Sequence, residues 1–230
     1  VLQQLTNQLM IAIILWFKLK WRPRLIFSFK RIKGLFSYGS KLLVSGLLDT
    51  LYRDITTLII GRIYTPAMLG FYNRGQQFPQ LIVSNINGSI QSVMLPALSA
   101  HQDNISRVKE MTRRAIISSS FLIFPMMIGM AVVAEPLVKI VLTEKWLPSV
   151  PFLQIACFTF TFWPIHTANL QAINALGRSD IFLKLEVVKK IMGLTILAIS
   201  LPFGIYAIAL GVALSGVLST FINAYPNKQL

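Results

Sequence analysis

One cysteine and eight carboxylates among 230 residues, against 22 lysines and arginines, set the first limits on this chain. A single thiol, Cys157, cannot close an intrachain disulfide, and it lies in an apolar run where a cysteine-based zinc site is not expected. Charge of either sign is scarce. Only 13% of residues are charged, against about 25% in an ordinary globular chain. A soluble fold needs charged surface to stay in solution, so this composition argues against a soluble enzyme. Catalytic signatures are missing as well: there is no G-x-x-x-x-G-K-S/T phosphate loop, no H-E-x-x-H zinc helix and no G-x-S-x-G nucleophile elbow. No polar segment between the apolar runs is long enough to house an ATPase or a glycosyltransferase. The chain reads as a non-enzyme without a cofactor.

What is abundant is apolar, at 54% of residues. Five charge-free runs, 1–17, 75–102, 115–134, 146–177 and 191–227, contain 17, 28, 20, 32 and 37 residues. Because about 20 apolar residues cross a bilayer, they predict an all-α, multi-pass membrane helical bundle. Seven spans are expected, near 1–17, 38–62, 77–99, 115–141, 150–173, 184–201 and 205–225. The second is amphipathic and weak by hydropathy alone. Pro125 and Pro164 are expected to kink their helices, and Pro202-Phe203-Gly204 to divide the longest run. Val1 is not a start methionine and no secretory signal is visible, so the chain reads as a fragment of something longer.

The net charge of +14 raises nucleic-acid binding, but position argues against it. Counting alternate connectors places seventeen basic residues on one side, from Lys18–Lys41, Arg107–Arg114, Arg178–Lys190 and Lys228. The other side carries four: Arg62, Arg74, Lys139 and Lys145. That is the bias of cytoplasmic loops, so the basic connectors and the C-terminus are expected in the cytoplasm, touching anionic head groups of membrane lipids.

Polar residues inside spans mark inward faces, for packing or for a wet cavity. Lys41, Ser45, Asp49, Arg53 and Thr56 share one face of the second span. Arg53, about 18 Å along the helix from Lys41, falls at or past the midplane, where a charge costs about 2.5–3.5 kcal/mol. Either it pairs internally with Asp49 or it lines a path for an anionic substrate. Gln77, Gln80, Ser84, Asn87 and Gln91 form an uncharged stripe on the third span, widened by Asn85, Ser89 and Ser92. Its amides suit a hydroxyl-rich ligand such as a sugar, or act as glue between helices. The fifth span carries Thr159, His166, Asn169 and Asn174; His166 is a candidate for substrate contact, with packing as the plainer reading. Ala207, Gly211, Ser215 and Ser219 form a small-residue face on the last span that permits close helix approach.

The stretch from Gly61 to Arg74, Gly-Arg-Ile-Tyr-Thr-Pro-Ala-Met-Leu-Gly-Phe-Tyr-Asn-Arg, resembles the signature loop of the polysaccharide transporter family. Leu95-Pro96-Ala97-Leu98-Ser99, Glu135-Pro136-Leu137-Val138, Glu144-Lys145-Trp146 and Ala175-Leu176-Gly177-Arg178 with Asp180 resemble it in the same order. That family includes the Wzx-type oligosaccharide flippases of the multidrug/oligosaccharidyl-lipid/polysaccharide (MATE-like) superfamily. The resemblance covers about 30 to 225 and implies two six-helix lobes around a central cavity that work by alternating access. It implies that the chain comprises the end of a transmembrane helix (1–17), a basic cytoplasmic connector (18–37), the six-helix C-terminal lobe (38–225) and a cytoplasmic tail (226–230). The implied substrate is a polyprenyl-pyrophosphate-linked oligosaccharide, flipped across the bacterial inner membrane. Implied partners are the missing N-terminal lobe and polysaccharide polymerase machinery. A cation-coupled drug exporter of the same fold, kept open by Asp49 and Asp54, and a non-transporting scaffold for polysaccharide synthesis are the alternatives. On the expected topology, cysteines introduced at Asn73 and Arg178 in the whole protein will react with an impermeant reagent from opposite sides of the membrane. Labelling of both from one side would contradict the span count.

Overall fold

A computed structural model describes residues 2–18 and 29–229; for residues 2, 30–35, 37, 38, 53 and 226–229 it describes the backbone path alone. Among the described residues every element is helical and none is a strand. The chain divides into two units, 1–36 and 37–230. The first contains helix α1 (Leu2–Lys18) and the opening of α2 (Phe29–Ile63). The second contains the rest of α2, α3 (Pro66–Ser99), α4 (Ile105–Val132), α5 (Ala134–Leu142), α6 (Val150–Thr161), α7 (Trp163–Ala175), α8 (Ser179–Ser200) and α9 (Ile205–Gln229). Three of the described helices are long and apolar enough to cross a membrane: α3, α4 and α9 over Ile205–Tyr225. The chain is an all-α membrane helical bundle. Of the expected basic connector, 19–28 lies outside the described residues and 29–37 is helical. Residue 230 of the expected tail is also outside them.

Several boundaries differ from the sequence expectation, each for a local reason. The signature stretch is not a loop but a joint of two residues, Tyr64 and Thr65, between α2 and α3. The Thr65 hydroxyl accepts from the Met68 amide at 3.3 Å, and Pro66 opens α3, where its missing N–H costs nothing. Helix α4 begins at Ile105, well before the apolar run. Asn104 caps it by accepting from the Arg107 amide at 3.0 Å, and Arg107 and Arg114 pair with Glu110 across its first turns. The expected single span 115–141 is interrupted at Val133, separating α5 from α4, whereas Pro125 lies inside a continuous α4. The expected span 150–173 is likewise two helices, parted at Phe162 just before Trp163-Pro164. The division at Pro202 is a short 3-10 turn, Leu201–Phe203.

Helix α3 is the spine. Val83 joins Ile123, Met127, Val138, Leu153 and Cys157 of α4, α5 and α6, while Met94 and Leu98 join Val108 of α4 and Ala168 and Ala172 of α7. At its start, Tyr72 packs with Ile60, Phe152, Leu197 and Ile208. The Tyr64 hydroxyl donates to the Leu201 carbonyl at 2.8 Å, pinning the α2–α3 joint to the α8–α9 joint. Helix α7 ends in a Schellman motif: the Arg178 amide donates to Ile173 and the Gly177 amide to Asn174, with Gly177 at φ 69°. This explains the Ala-Leu-Gly-Arg sequence there.

At the α3–α6 contact the two backbones approach closely. A Cβ on Gly75 would lie 2.6 Å from Phe152 Cβ and 2.8 Å from the Leu153 nitrogen, whereas one on Gly88 meets nothing within 4 Å. Gly75→Ala is therefore expected to destabilise the fold by about 1–3 kcal/mol through overpacking. Gly88→Ala, free of contact, should be neutral or gain up to about 1 kcal/mol of helix propensity. Thermal unfolding in detergent checks the pair, and equal shifts for both would contradict the packing.

Candidate functional site

A cavity of about 650 Å³ opens between α2, α3, α6, α7, α8 and α9. Helix α3 contributes Gln76, Gln80 and Ser84; α2 contributes Ser45, Asp49 and Tyr52; α9 contributes Ser215, Ser219 and Thr220. Aromatic side chains complete the wall, chiefly Tyr72, Phe152, Phe160 and Trp163. Phe152 is fixed by an edge contact with Tyr72 at 5.8 Å and by stacking on Tyr206 at 4.8 Å. Most of the surface is thus apolar with a few polar groups directed inward, the usual constitution of a ligand site.

One part of the wall is charged. Lys189 donates to Glu186 at 2.5 Å, and both are almost wholly buried, at 5% and 8% side-chain exposure. Lys190 donates to Asp49 of α2 at 2.6 Å, stands 3.7 Å from the second Glu186 oxygen and lies 4.9 Å over the Tyr52 ring. Tyr52 is itself seated over Gly193 of α8, where an added Cβ would be 2.7 Å from the hydroxyl. His166 of α7 is within electrostatic reach of Lys189, Lys190 and Asp49. Its Nδ1 lies 2.7 Å from the Asn223 amide nitrogen, so with Asn223 donating, the histidine proton sits on Nε2. No group of three or more potential metal ligands exists among the described residues.

The residues expected from sequence are only partly brought together. Asp49, Gln80, Ser84 and His166 line the cavity; Lys41, Asn87 and Gln91 are not among its lining residues. The side chain of Arg53 lies outside the described residues, so the expected Asp49–Arg53 pair is not described; Asp49 accepts from Lys190. The stripe on α3 is not one continuous ligand-facing line. Gln77 accepts from Arg74 at 2.6 Å, and Asn85, Ser89 and Ser92 bond carbonyls of their own helix. Asn87 is buried, with no hydrogen-bond partner for Nδ2 among the described residues. On α2, Thr56 likewise turns back to the Tyr52 carbonyl at 2.8 Å. The small-residue face of α9 does approach its neighbour closely: a Cβ on Gly211 would be 3.1 Å from Ile196.

Sequence reasoning missed Tyr52, Gln76, Glu186, Lys189 and Lys190. Lys189 and Lys190 count among the basic residues of the expected Arg178–Lys190 connector. A signal was present: Phe182, Glu186, Lys189 and Lys190 share one helical face, flanked by the apolar Val187, Val188 and Ile191.

The polysaccharide biosynthesis protein family matches residues 1–151. The chain is similar to the teichuronic acid biosynthesis protein TuaB of Bacillus subtilis, 29% identical over 187 residues, covering 79% of this chain and 38% of that protein. It is also similar to the lipopolysaccharide biosynthesis protein WzxC of Escherichia coli, 26% identical over 203 residues, covering 88% and 41%. An uncharacterized membrane protein in the cps region of Klebsiella pneumoniae is 26% identical over 202 residues, covering 86% and 42%. The chain spans about two fifths of the length of these curated relatives. No solved structure matches it. With its ordered motifs, its membrane bundle and this match over most of its length, the chain belongs to the polysaccharide biosynthesis protein family, the polysaccharide transporter group.

Proposed function

We propose that this chain forms part of a transporter that moves a polyprenyl-diphosphate-linked oligosaccharide across the bacterial inner membrane by alternating access, for lipopolysaccharide, exopolysaccharide or capsule assembly. The observation that carries this reading is the cavity itself. An interface that only holds helices together would be filled, whereas about 650 Å³ is left among hydroxyl, amide, aromatic and charged side chains. Hydroxyls and amides suit sugar hydroxyls, aromatic faces suit sugar ring faces, and fixed ammonium groups suit a diphosphate. The names of TuaB and WzxC place them in teichuronic acid biosynthesis and lipopolysaccharide biosynthesis.

The volume also limits what is recognised. It falls within the roughly 300–1,000 Å³ of sites for drug-sized ligands, so this half of the site is matched to the diphosphate and the first sugars rather than to a long chain. In the same reading, 38–225 forms the C-terminal six-helix lobe, facing an N-terminal lobe of the same protein, with the C-terminus in the cytoplasm. Membrane lipids and the polymerase machinery are its further partners.

Two experiments in the whole protein test the reading. Ser84→Trp fills the cavity and is expected to abolish surface polysaccharide while the lipid-linked precursor accumulates. Asn85→Trp, one residue away and outside the lining, should leave export in place. Equal export by both variants would argue against transport through this cavity. Arg53→Ala should abolish the polymer and Arg53→Lys retain part of it; unchanged polymer in Arg53→Ala would remove that residue from the substrate path.

A further inference from the structure

Helix α9 carries Ala207, Gly211, Ser215 and Ser219 at every fourth position, and the next residue in that register is Asn223. Unlike the small residues before it, it ends in an amide, and it is fully buried, at 0% exposure. Its Nδ2 lies 2.7 Å from Nδ1 of His166 on α7, and its Oδ1 has no hydrogen-bond partner among the described residues. Turning the amide over would instead leave both hydrogens of Nδ2 without an acceptor. Buried N–H groups without a partner are rarer than buried carbonyls without one, so Asn223 donates and Nδ1 accepts.

The consequence reaches the cavity. With Nδ1 occupied, the imidazole proton sits on Nε2. His166 is a lining residue, and its Nε2 forms no hydrogen bond with a described residue. Other polar groups of the wall offer the opposite sense. Ser84, Thr159 and Thr220 donate their hydroxyl hydrogens to carbonyls of their own helices at 2.9–3.1 Å. They present lone pairs, which suit the O–H groups of a sugar, whereas His166 presents an N–H, which calls for an acceptor.

The flanks of His166 narrow the choice of acceptor. Trp163 and Leu170, three residues before it and four after, share its face of α7 and line the cavity with it. The Trp163 and His166 rings lie 5.6 Å apart. A donor between two apolar surfaces is matched by a carbonyl that carries a methyl group, and the acetamido substituent of an N-acetylated sugar has both. A carboxylate in the same place would set a charged oxygen against the apolar flank.

Resting on the transport reading above, we infer that the cavity recognises a sugar bearing an acetamido group. His166 donates from Nε2 to its carbonyl, the methyl group packs on Trp163 and Leu170, and Asn223 is the positioning residue that holds the imidazole in this tautomer.

The test uses the full-length protein in nanodiscs with isotopically labelled histidine ring nitrogens, read by NMR; the His166 signals are those lost in His166→Gln. The unsubstituted protein is expected to carry the His166 proton on Nε2, and Asn223→Leu to place part of it on Nδ1. N-acetylglucosamine, glucose and glucuronate are the probes. N-acetylglucosamine should shift the Nε2 signal and bind about two- to tenfold more tightly than glucose, the range of one neutral hydrogen bond. That preference should vanish in His166→Leu and shrink in Asn223→Leu, while His166→Gln, whose amide keeps a donor, should retain it. A proton on Nδ1 in the unsubstituted protein would overturn the positioning role. Equal binding of N-acetylglucosamine and glucose, or binding of neither, would overturn the acetamido assignment, and tightest binding of glucuronate would do so in favour of a carboxylate. Loss of export in Ser84→Trp without an acetamido preference would sink this inference alone, whereas export retained in Ser84→Trp would sink the transport reading beneath it.

Discussion

A lysine and a glutamate buried side by side in an apolar helix constrain everything around them. Each charge alone would be costly to bury, and removing one partner of such a pair typically costs about 3–5 kcal/mol. The i,i+3 spacing of Glu186 and Lys189 lets α8 satisfy both within itself at 2.5 Å. No neighbouring helix has to supply a counter-charge, so α7 and α9 can present mostly neutral side chains to that region. Lys190, one residue further on, points to a different neighbour and spends its charge across the cavity on α2. Internal neutralisation on α8 is what allows one lysine to become an interhelical contact.

The polar side chains of α3 follow the same economy. In a medium without water a hydroxyl or amide must find an acceptor, and the nearest is its own helix backbone. Ser84, Asn85, Ser89 and Ser92 all do this, bonding the Leu81, Asn85 or Ser89 carbonyls at 2.8–3.1 Å. Register alone therefore does not define a ligand-facing stripe. What distinguishes Gln76, Gln80 and Ser84 is that they line the cavity, together with Phe152 and Phe160 of α6 and Trp163 of α7. Further along, at Asn87, the side chain is enclosed.

Much of the fold was legible in the sequence because it rests on long apolar runs and on backbone punctuation. The apolar runs that supply most of α4 and α9, the Pro202 division and the Gly177 terminus are features that lipid solubility and φ preferences dictate directly. The joint at Tyr64–Thr65 was harder to read, since a capped, proline-initiated helix start looks like loop sequence until its hydrogen bonds are known. The site was legible where a polar residue stood out against an apolar span, as with Asp49, Gln80, Ser84 and His166. It was not legible on α8. Lys189 and Lys190 obey the same charge bias that marks cytoplasmic connectors, and no counting rule separates a lysine at a membrane surface from one folded inward against a glutamate. Only the i,i+3 and i,i+4 relation to Glu186, flanked by valines and isoleucine, carried that information.

On the transport reading, a cavity wall with carboxylates as well as lysines is at first sight a poor design for an anion, since bare lysines would attract a diphosphate more strongly. Bare lysines, however, would leave uncompensated charge inside the membrane whenever the cavity stood empty, at several kcal/mol per ion. Pairing removes that cost from the empty state. On the transport reading a lower affinity is no disadvantage, because a site that binds too tightly holds its ligand on both sides. A ligand shifts an equilibrium only by its differential affinity for the two states. On the transport reading, Lys189 and Lys190, held by Glu186 and Asp49, spare the empty cavity that cost.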